Sequence, residues 1–295
     1  MISSINKALP GFLVLVLAAT TVLLYQQLHG PASLPEPGED TVRELARFET
    51  VLAESSALAS HGDFLWTAND SGSGPVLHKL DRNGRLQESI EISGADNIDW
   101  ESMAHDETHL FVADTGNNRN TRDRFTLYRF AWADLESGQT TFDTIGLRYG
   151  DYESGNTLSH NFDAEALAVK DNELWLFSKN RGDRRTNLYR FPKTPGEYAP
   201  MPSQQLDVDA LITAADIHPA SGMLTLIGFR AAGLSILWKI PTHEGGVDWD
   251  RRVEKVIAPA DQWEAVLWDT RDGRVLLSHE RNRRRYAGLA ELIGW

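Results

Sequence analysis

Four glutamates open short apolar stretches at wide, similar intervals: Glu54, Glu101, Glu165 and Glu264. With Ala215 at the matching place in a stretch that lacks the acid, the spacings are 47, 64, 50 and 49 residues. Acids that recur in this way converge if their stretches are equivalent strands around one axis, and Asp114, which ends a neighbouring strand, joins them. Crowded carboxylates repel one another unless a cation or buried hydrogen-bond donors compensate them. Ca2+, which takes roughly six to eight oxygen ligands, is the candidate cofactor. Glu101, Glu165, Glu264, Asp114 and Glu54 are therefore candidate metal ligands. The alternative role for the same side chains is to accept backbone N–H bonds between neighbouring units, with no ion involved.

Arginines crowd four short loops: Arg119, Arg122 and Arg124; Arg181, Arg184 and Arg185; Arg230; and Arg281, Arg283, Arg284 and Arg285. Together they make 11 of the 29 basic residues of an otherwise acidic chain. Arginine grips carboxylate and phosphate with two parallel N–H bonds, so Arg119, Arg181, Arg230 and Arg281 are candidate anion-binding residues. Ion pairs with nearby Asp123 or Asp183 are the competing explanation. The remaining motifs are weak. Ser71-Gly-Ser-Gly74 precedes a strand and reads as a turn, and neither a P-loop, His-Glu-x-x-His nor Gly-x-Ser-x-Gly occurs. His160 and His279 neighbour the acidic positions and read as structural.

One repeated unit must position these groups: an acidic start, a short apolar strand, a turn, and a longer apolar strand ending in polar residues. Five copies are visible, opening at Glu54, Asp99-Trp-Glu101, Asp163-Ala-Glu165, Thr213-Ala-Ala215 and Trp263-Glu264. Units of this length, each a four-stranded meander unable to bury both faces alone, predict an all-β fold, a β-propeller. Five blades are favoured, and the 64-residue interval leaves six as the alternative. Asn83-Gly84 and Asp272-Gly273 predict tight hairpins within the first and fifth units. The last unit lacks a fourth strand, whereas residues 41–52 form a strand-like remnant before the first, so this segment is expected to close the ring. In such blades the start of the innermost strand and the end of the second lie at one mouth of the channel, where Asp70, Asp114, Lys179 and Glu280 join the glutamates.

Residues 8–25 carry no charge and are mostly apolar, with Lys7 before them. Eighteen residues of helix span about 27 Å, enough for one crossing of a bilayer. A secretory signal has a shorter apolar region and a small-residue cleavage site, so an uncleaved transmembrane signal-anchor over residues 1–30 is favoured over a cleaved signal. Lys7 places the N-terminus in the cytoplasm. Residues 31–40, with three prolines and three acids, then form a linker, and the propeller of residues 41–295 faces the extracytoplasmic or periplasmic side of the cytoplasmic membrane. A net charge of −13 excludes nucleic acid as a general partner. The absence of cysteine excludes disulfides and thiolate metal sites.

The motifs Asn69-Asp-Ser-Gly72, Asp99-Trp-Glu101, Asp114-Thr-Gly-Asn-Asn-Arg119 and Asp163-Ala-Glu-Ala-Leu167 resemble those of a bacterial family of secreted or anchored phytase-like and esterase-like β-propellers. More distantly the architecture is similar to gluconolactonase-like lactonases and calcium-dependent phosphotriesterases. That resemblance implies a divalent metal in the central channel and generally six blades. Two functions are expected from these features. One is a membrane-tethered propeller that binds a small anionic ligand or an envelope partner on its arginine-rich face. The other is a Ca2+-dependent hydrolase of small esters, lactones or phosphoesters.

Overall fold

The computed structural model describes residues 41–154, 159–230, 233–281 and 286–294. The candidate anchor and linker, and Arg283, Arg284 and Arg285, lie outside them. Among the described residues no helix is long and apolar enough to cross a membrane.

Strand β1 (Val42–Arg47) leads into five antiparallel sheets arranged as blades. Blade 1 is β2 (Ala59–His61), β3 (Phe64–Ala68), β4 (Val76–Leu80) and β5 (Leu86–Glu91). Blade 2 comprises β6 (Trp100–His105), β7 (His109–Asp114), β8 (Phe125–Ala131) and β9 (Asp143–Leu147). Blade 3 comprises β10 (Ala164–Lys170), β11 (Glu173–Ser178), β12 (Thr186–Pro192) and β14 (Pro202–Leu206), with β13 (Gly196–Tyr198) lent to the outer edge of blade 2, parallel to β9. In blade 4, β15 (Leu211–Ile217), β16 (Met223–Phe229), β17 (Ser235–His243) and β19 (Val253–Ile257) pair in order, and β18 (Gly246–Val247) pairs with the end of β17. Blade 5 is β20 (Trp263–Asp269), β21 (Arg274–His279) and β22 (Gly288–Leu292), completed by β1.

The innermost strands β2, β6, β10, β15 and β20 contact one another in a closed ring around the axis. The ring has five blades, which removes the six-bladed alternative. The long interval between Glu101 and Glu165 is spent on a one-turn helix, Trp132–Glu136, and on the connection at residues 148–163. Closure follows the sequence expectation. Val42 pairs with Leu292 and Arg47 with Gly288, and Thr41 ties the seam to blade 4 by donating its N–H to the Ala258 carbonyl at 2.8 Å. Both anticipated hairpins form, with Gly84 at φ +81 and Gly273 at φ +65, backbone that a side chain disfavours.

Strand alternation explains why the blades stack. On β11, Leu174 and Leu176 join the apolar cluster shared with blade 2, while Trp175 and Phe177 on the opposite face join the one shared with blade 4. Each of the five blade interfaces has such a cluster, and Trp66, Trp100, Trp132, Trp175, Trp238 and Trp263 are all buried among them. Burying one such side chain contributes about 1.5–3 kcal/mol. The apolar interfaces hold the blades rigidly enough for charged groups to be confined at the axis.

Candidate functional site

A register break recurs at the start of the inner strands. Trp100 pairs with Asp114 and Ser102 with Ala113, leaving Glu101 unpaired between them. The same shift isolates Glu165 on β10, Thr213 on β15 and Glu264 on β20. Such a bulge turns one side chain out of the strand's alternation, and here it turns three carboxylates toward the channel, where they are buried. The register also corrects two equivalences expected from the sequence. In blade 4 the position belongs to Thr213, not Ala215. In blade 1 it belongs to Ser56, not Glu54: the Ser56 and Thr213 hydroxyls donate to the carbonyls of Trp100 and Trp263, each the residue just before the next blade's bulge. Glu54 lies outside the carboxylate cluster, with Arg281 4.0 Å away.

Carboxylate oxygens gather into two overlapping triads. Asp70, Asp99 and Glu101 bring an oxygen each to within 4.8 Å of one another, and so do Glu101, Asp163 and Glu165. Glu101 belongs to both. One of its oxygens, Oε1, is buried and has no hydrogen-bond partner among the described residues. Burial, reinforced by Glu165, Asp70, Asp163 and Asp99, holds the Glu101 carboxyl well above the usual carboxylate range. Asp99 is pushed up to about 7 by burial and by Asp70. The second triad meets cations: the Lys179 ammonium donates to Glu165 Oε2, and the Arg181 guanidinium donates to Asp163 Oδ2 at 2.8 Å. Burial works against the charge of Lys179, but Glu165, Glu264, Asp163 and Glu101 outweigh it and hold the amine above an ordinary lysine. Glu264 and Glu280 line the same region, both raised by burial, Glu280 to about 8 with help from Glu264 and Asp70.

Asp114 does not enter either triad. By register it aligns with Ser178 and His279, one residue before the positions Lys179 and Glu280 that reach the cluster. Its carboxylate instead accepts the backbone N–H groups of Ile98 and Asp99 at 3.3 and 3.1 Å and pairs with Arg122 at 2.8 Å. The loop after it organises the site. Thr115 donates to the Ala164 carbonyl at 2.8 Å, and the Asn117 N–H donates to Asp163 Oδ1 at 2.7 Å. A Cβ on Gly116 would collide with the Asp99 and Glu101 carboxylates. A side chain at this point of the loop would displace those carboxylates.

Sequence reasoning singled out Glu101 and Glu165 but not Asp99 and Asp163, and it placed Asp70 nearby without counting it as a ligand. The missed signal was the doublet Asp-x-Glu, present at both Asp99-Trp-Glu101 and Asp163-Ala-Glu165. The arginine loops are largely neutralised. Arg230 forks onto Glu254 and the Val208 carbonyl, Arg184 pairs with Asp209 at 2.8 Å, and Arg181 serves the acidic cluster. Arg281 is exposed beside Glu54. Arg119 and Arg124 are exposed with no ion pair among the described residues. His160 carries loop contacts: its carbonyl accepts the N–H groups of Arg181 and Gly182. His279 packs edge-on against Trp263 with Asp261 3.5 Å away.

At the other end of the axis the hairpins between first and second strands enclose a cavity of about 570 Å³ bordered by His61, His105, Asp106, Lys193, Asp216 and Trp268. Its charges are mostly matched, as with Lys193 and Asp106 at 2.9 Å.

No family model matches the chain, and no curated protein matches its sequence. Its path is similar to that of several solved propellers. The PQQ-bound aldose sugar dehydrogenase of Streptomyces coelicolor superposes with a TM-score of 0.49 at 12% identity, covering 86% of this chain and 98% of that one. Regucalcin, a calcium-binding protein of Agrobacterium tumefaciens, gives 0.46 at 11% identity over 85% of this chain and 93% of its own. A putative 6-phosphogluconolactonase of Bacteroides uniformis gives 0.42 at 14% identity, over 81% and 72%. At these identities the likeness is one of chain path, and the chemistry of the channel rests on the residues above.

Proposed function

We propose that this propeller is a Ca2+-dependent receptor for a small anionic ligand, held on the extracytoplasmic side of the membrane by its apolar N-terminal segment. Asp70, Asp99 and Glu101 would hold the ion. Support comes from Glu101, whose buried Oε1 has no donor among the described residues, in a triad that makes no ion pair among them. A buried carboxylate without a partner costs several kcal/mol, which a bound cation offsets. The donors are hard oxygens with no sulfur or imidazole among them, which favours Ca2+ or Mg2+ over Zn2+. Three carboxylates leave coordination positions for water and for one ligand oxygen. Arg119, on the loop that covers the acids, and Arg124, both without ion pairs among the described residues, are suited to the remaining charge of a carboxylate or phosphate. The charge-free run at residues 8–25 supports the anchor.

Hydrolysis of a small ester, lactone or phosphoester, the chemistry implied by the phytase-like and esterase-like resemblance, is the second reading. Glu280 favours it: a carboxyl held near 8 within electrostatic reach of Asp70 can carry a proton at neutral pH, as a general acid requires. When bound, the ion would supply Lewis acidity to the ligand oxygen.

Thermal melts with Ca2+ and with chelator test the proposal. Saturating Ca2+ is expected to raise the melting temperature by roughly 5–10 °C, and Glu101→Gln to fold yet lose that response. Wild-type protein that holds no metal and melts identically in both media would sink the receptor and the hydrolase together.

A further inference from the structure

The two triads share Glu101 but differ in what already neutralises them. Around the inner triad every acid except Glu101 has a donor: Lys179 on Glu165 Oε2, Arg181 on Asp163 Oδ2, and the Asn117 N–H on Asp163 Oδ1. Arg181 also comes within 3.8 Å of Glu165 Oε1. Among the described residues the outer triad, Asp70, Asp99 and Glu101, has no ion pair; Ser71 donates to it, and the Asp70 and Asp99 carboxyls share a hydrogen bond. Were carboxylate geometry alone decisive, the channel would hold two cations joined through Glu101.

We propose that Lys179 is a tethered cation that fills the inner of two overlapping metal sites, so that the channel takes one divalent ion, at the outer triad. This rests on the metal-binding role proposed above. The backbone fixes the ammonium there. Lys179 follows β11 directly, and its N–H donates to the Asp163 carbonyl at 2.7 Å, so its short reach ends among Glu165, Asp163 and Glu101. It is 9% exposed, and its side chain has no other acceptor than this group. A second divalent ion would have to sit against the ammonium held on Glu165, a like-charge contact in a water-poor site. One fixed charge thereby sets the stoichiometry and leaves the outer ion at the mouth, where a ligand can reach it.

Removing the ammonium tests this. Lys179→Met keeps the stem and deletes the charge, while Lys179→Arg keeps the charge. Calorimetric titration with CaCl2 is expected to give one ion for wild type, one for Lys179→Arg and two for Lys179→Met. If wild type and Lys179→Met both bind one, Lys179 is only a structural ion-pair partner and the inference fails, while the outer metal site stands. If wild type binds none, the metal-binding role itself fails. A Lys179→Met protein that folds only when Ca2+ is present supports the inference, because the second ion then replaces the ammonium; failure to fold in either medium overturns it.

Discussion

Asp99 at one end of the channel and Asp106 at the other are in opposite electrostatic states. At the acidic mouth Asp99 is pushed up to about 7 by burial and Asp70. At the far mouth burial also works against Asp106, but the Lys193 ammonium and the N–H groups of Thr108 and His109 outweigh it and bring it down to about 2. Asp269, buried at that same end, is held by Arg82 and Arg274, and Asp272 shares both arginines at 3.1 Å. A carboxylate with its counter-ion supplied by the chain has its charge already compensated. One without it stores free energy that a ligand can release. The difference favours the acidic mouth over the cavity opposite as the binding end proposed above.

Strand β1 backs the sheet that carries Glu264 toward one mouth and Asp269 toward the other, so its loss should affect both ends together. Deleting residues 1–40 should leave stability unchanged, whereas deleting residues 1–48 removes the whole ladder to β22 and the buried Val42 and Phe48. From the burial of those two side chains the second truncation should melt roughly 10–20 °C lower. Equal melting temperatures would show that the closure contributes nothing.

A smaller effect separates the ends. Asp269→Asn leaves two arginines facing a neutral amide in a buried site, and should cost about 3–5 kcal/mol in chemical denaturation. Glu101→Gln, the same chemical change at the acidic mouth, should stabilise the ion-free protein, because it relieves repulsion among Asp70, Asp99, Asp163 and Glu165. If both variants are destabilised alike in chelator, the two mouths do not differ as described.

The fold was legible because its signals are local and repeated: alternation along β11, the hairpin glycines Gly84 and Gly273, and the missing outer strand supplied by residues 41–52. The site was legible only in part. Glu101 and Glu165 stand out by spacing, but the bulge that selects Ser56 over Glu54 and Thr213 over Ala215 is a property of strand pairing, which spacing does not reveal. The same register puts Asp114 one residue short of the channel and Lys179 within it. The arginine loops misled for a different reason. A count of charges cannot tell Arg230, locked on Glu254, from Arg119, which has no ion pair among the described residues.

The smallest expected effect is the pH dependence, in which Asp106 and Asp99 differ by sign. Asp106 has a folded-state value below its ordinary one, so the stability it contributes is present above about pH 4 and is lost as pH falls toward about 2. Asp99 and Glu280 are raised, to about 7 and about 8, so the folded protein binds more protons than the unfolded chain between their ordinary values and these. Their contribution is present in acid and lost as pH rises through about 7 to 8. Asp216, at the far mouth, is raised to about 7 by burial and adds to the same alkaline loss. Ca2+ separates the two sources, since binding requires ionised ligands and so removes the penalty at Asp99 while leaving Asp216 untouched. Urea denaturation from about pH 5 to about pH 9 in chelator should show stability falling, and added Ca2+ should reduce that slope without abolishing it. A slope that Ca2+ leaves unchanged would place the alkaline loss at Asp216 and Glu280 and remove Asp99 from the explanation.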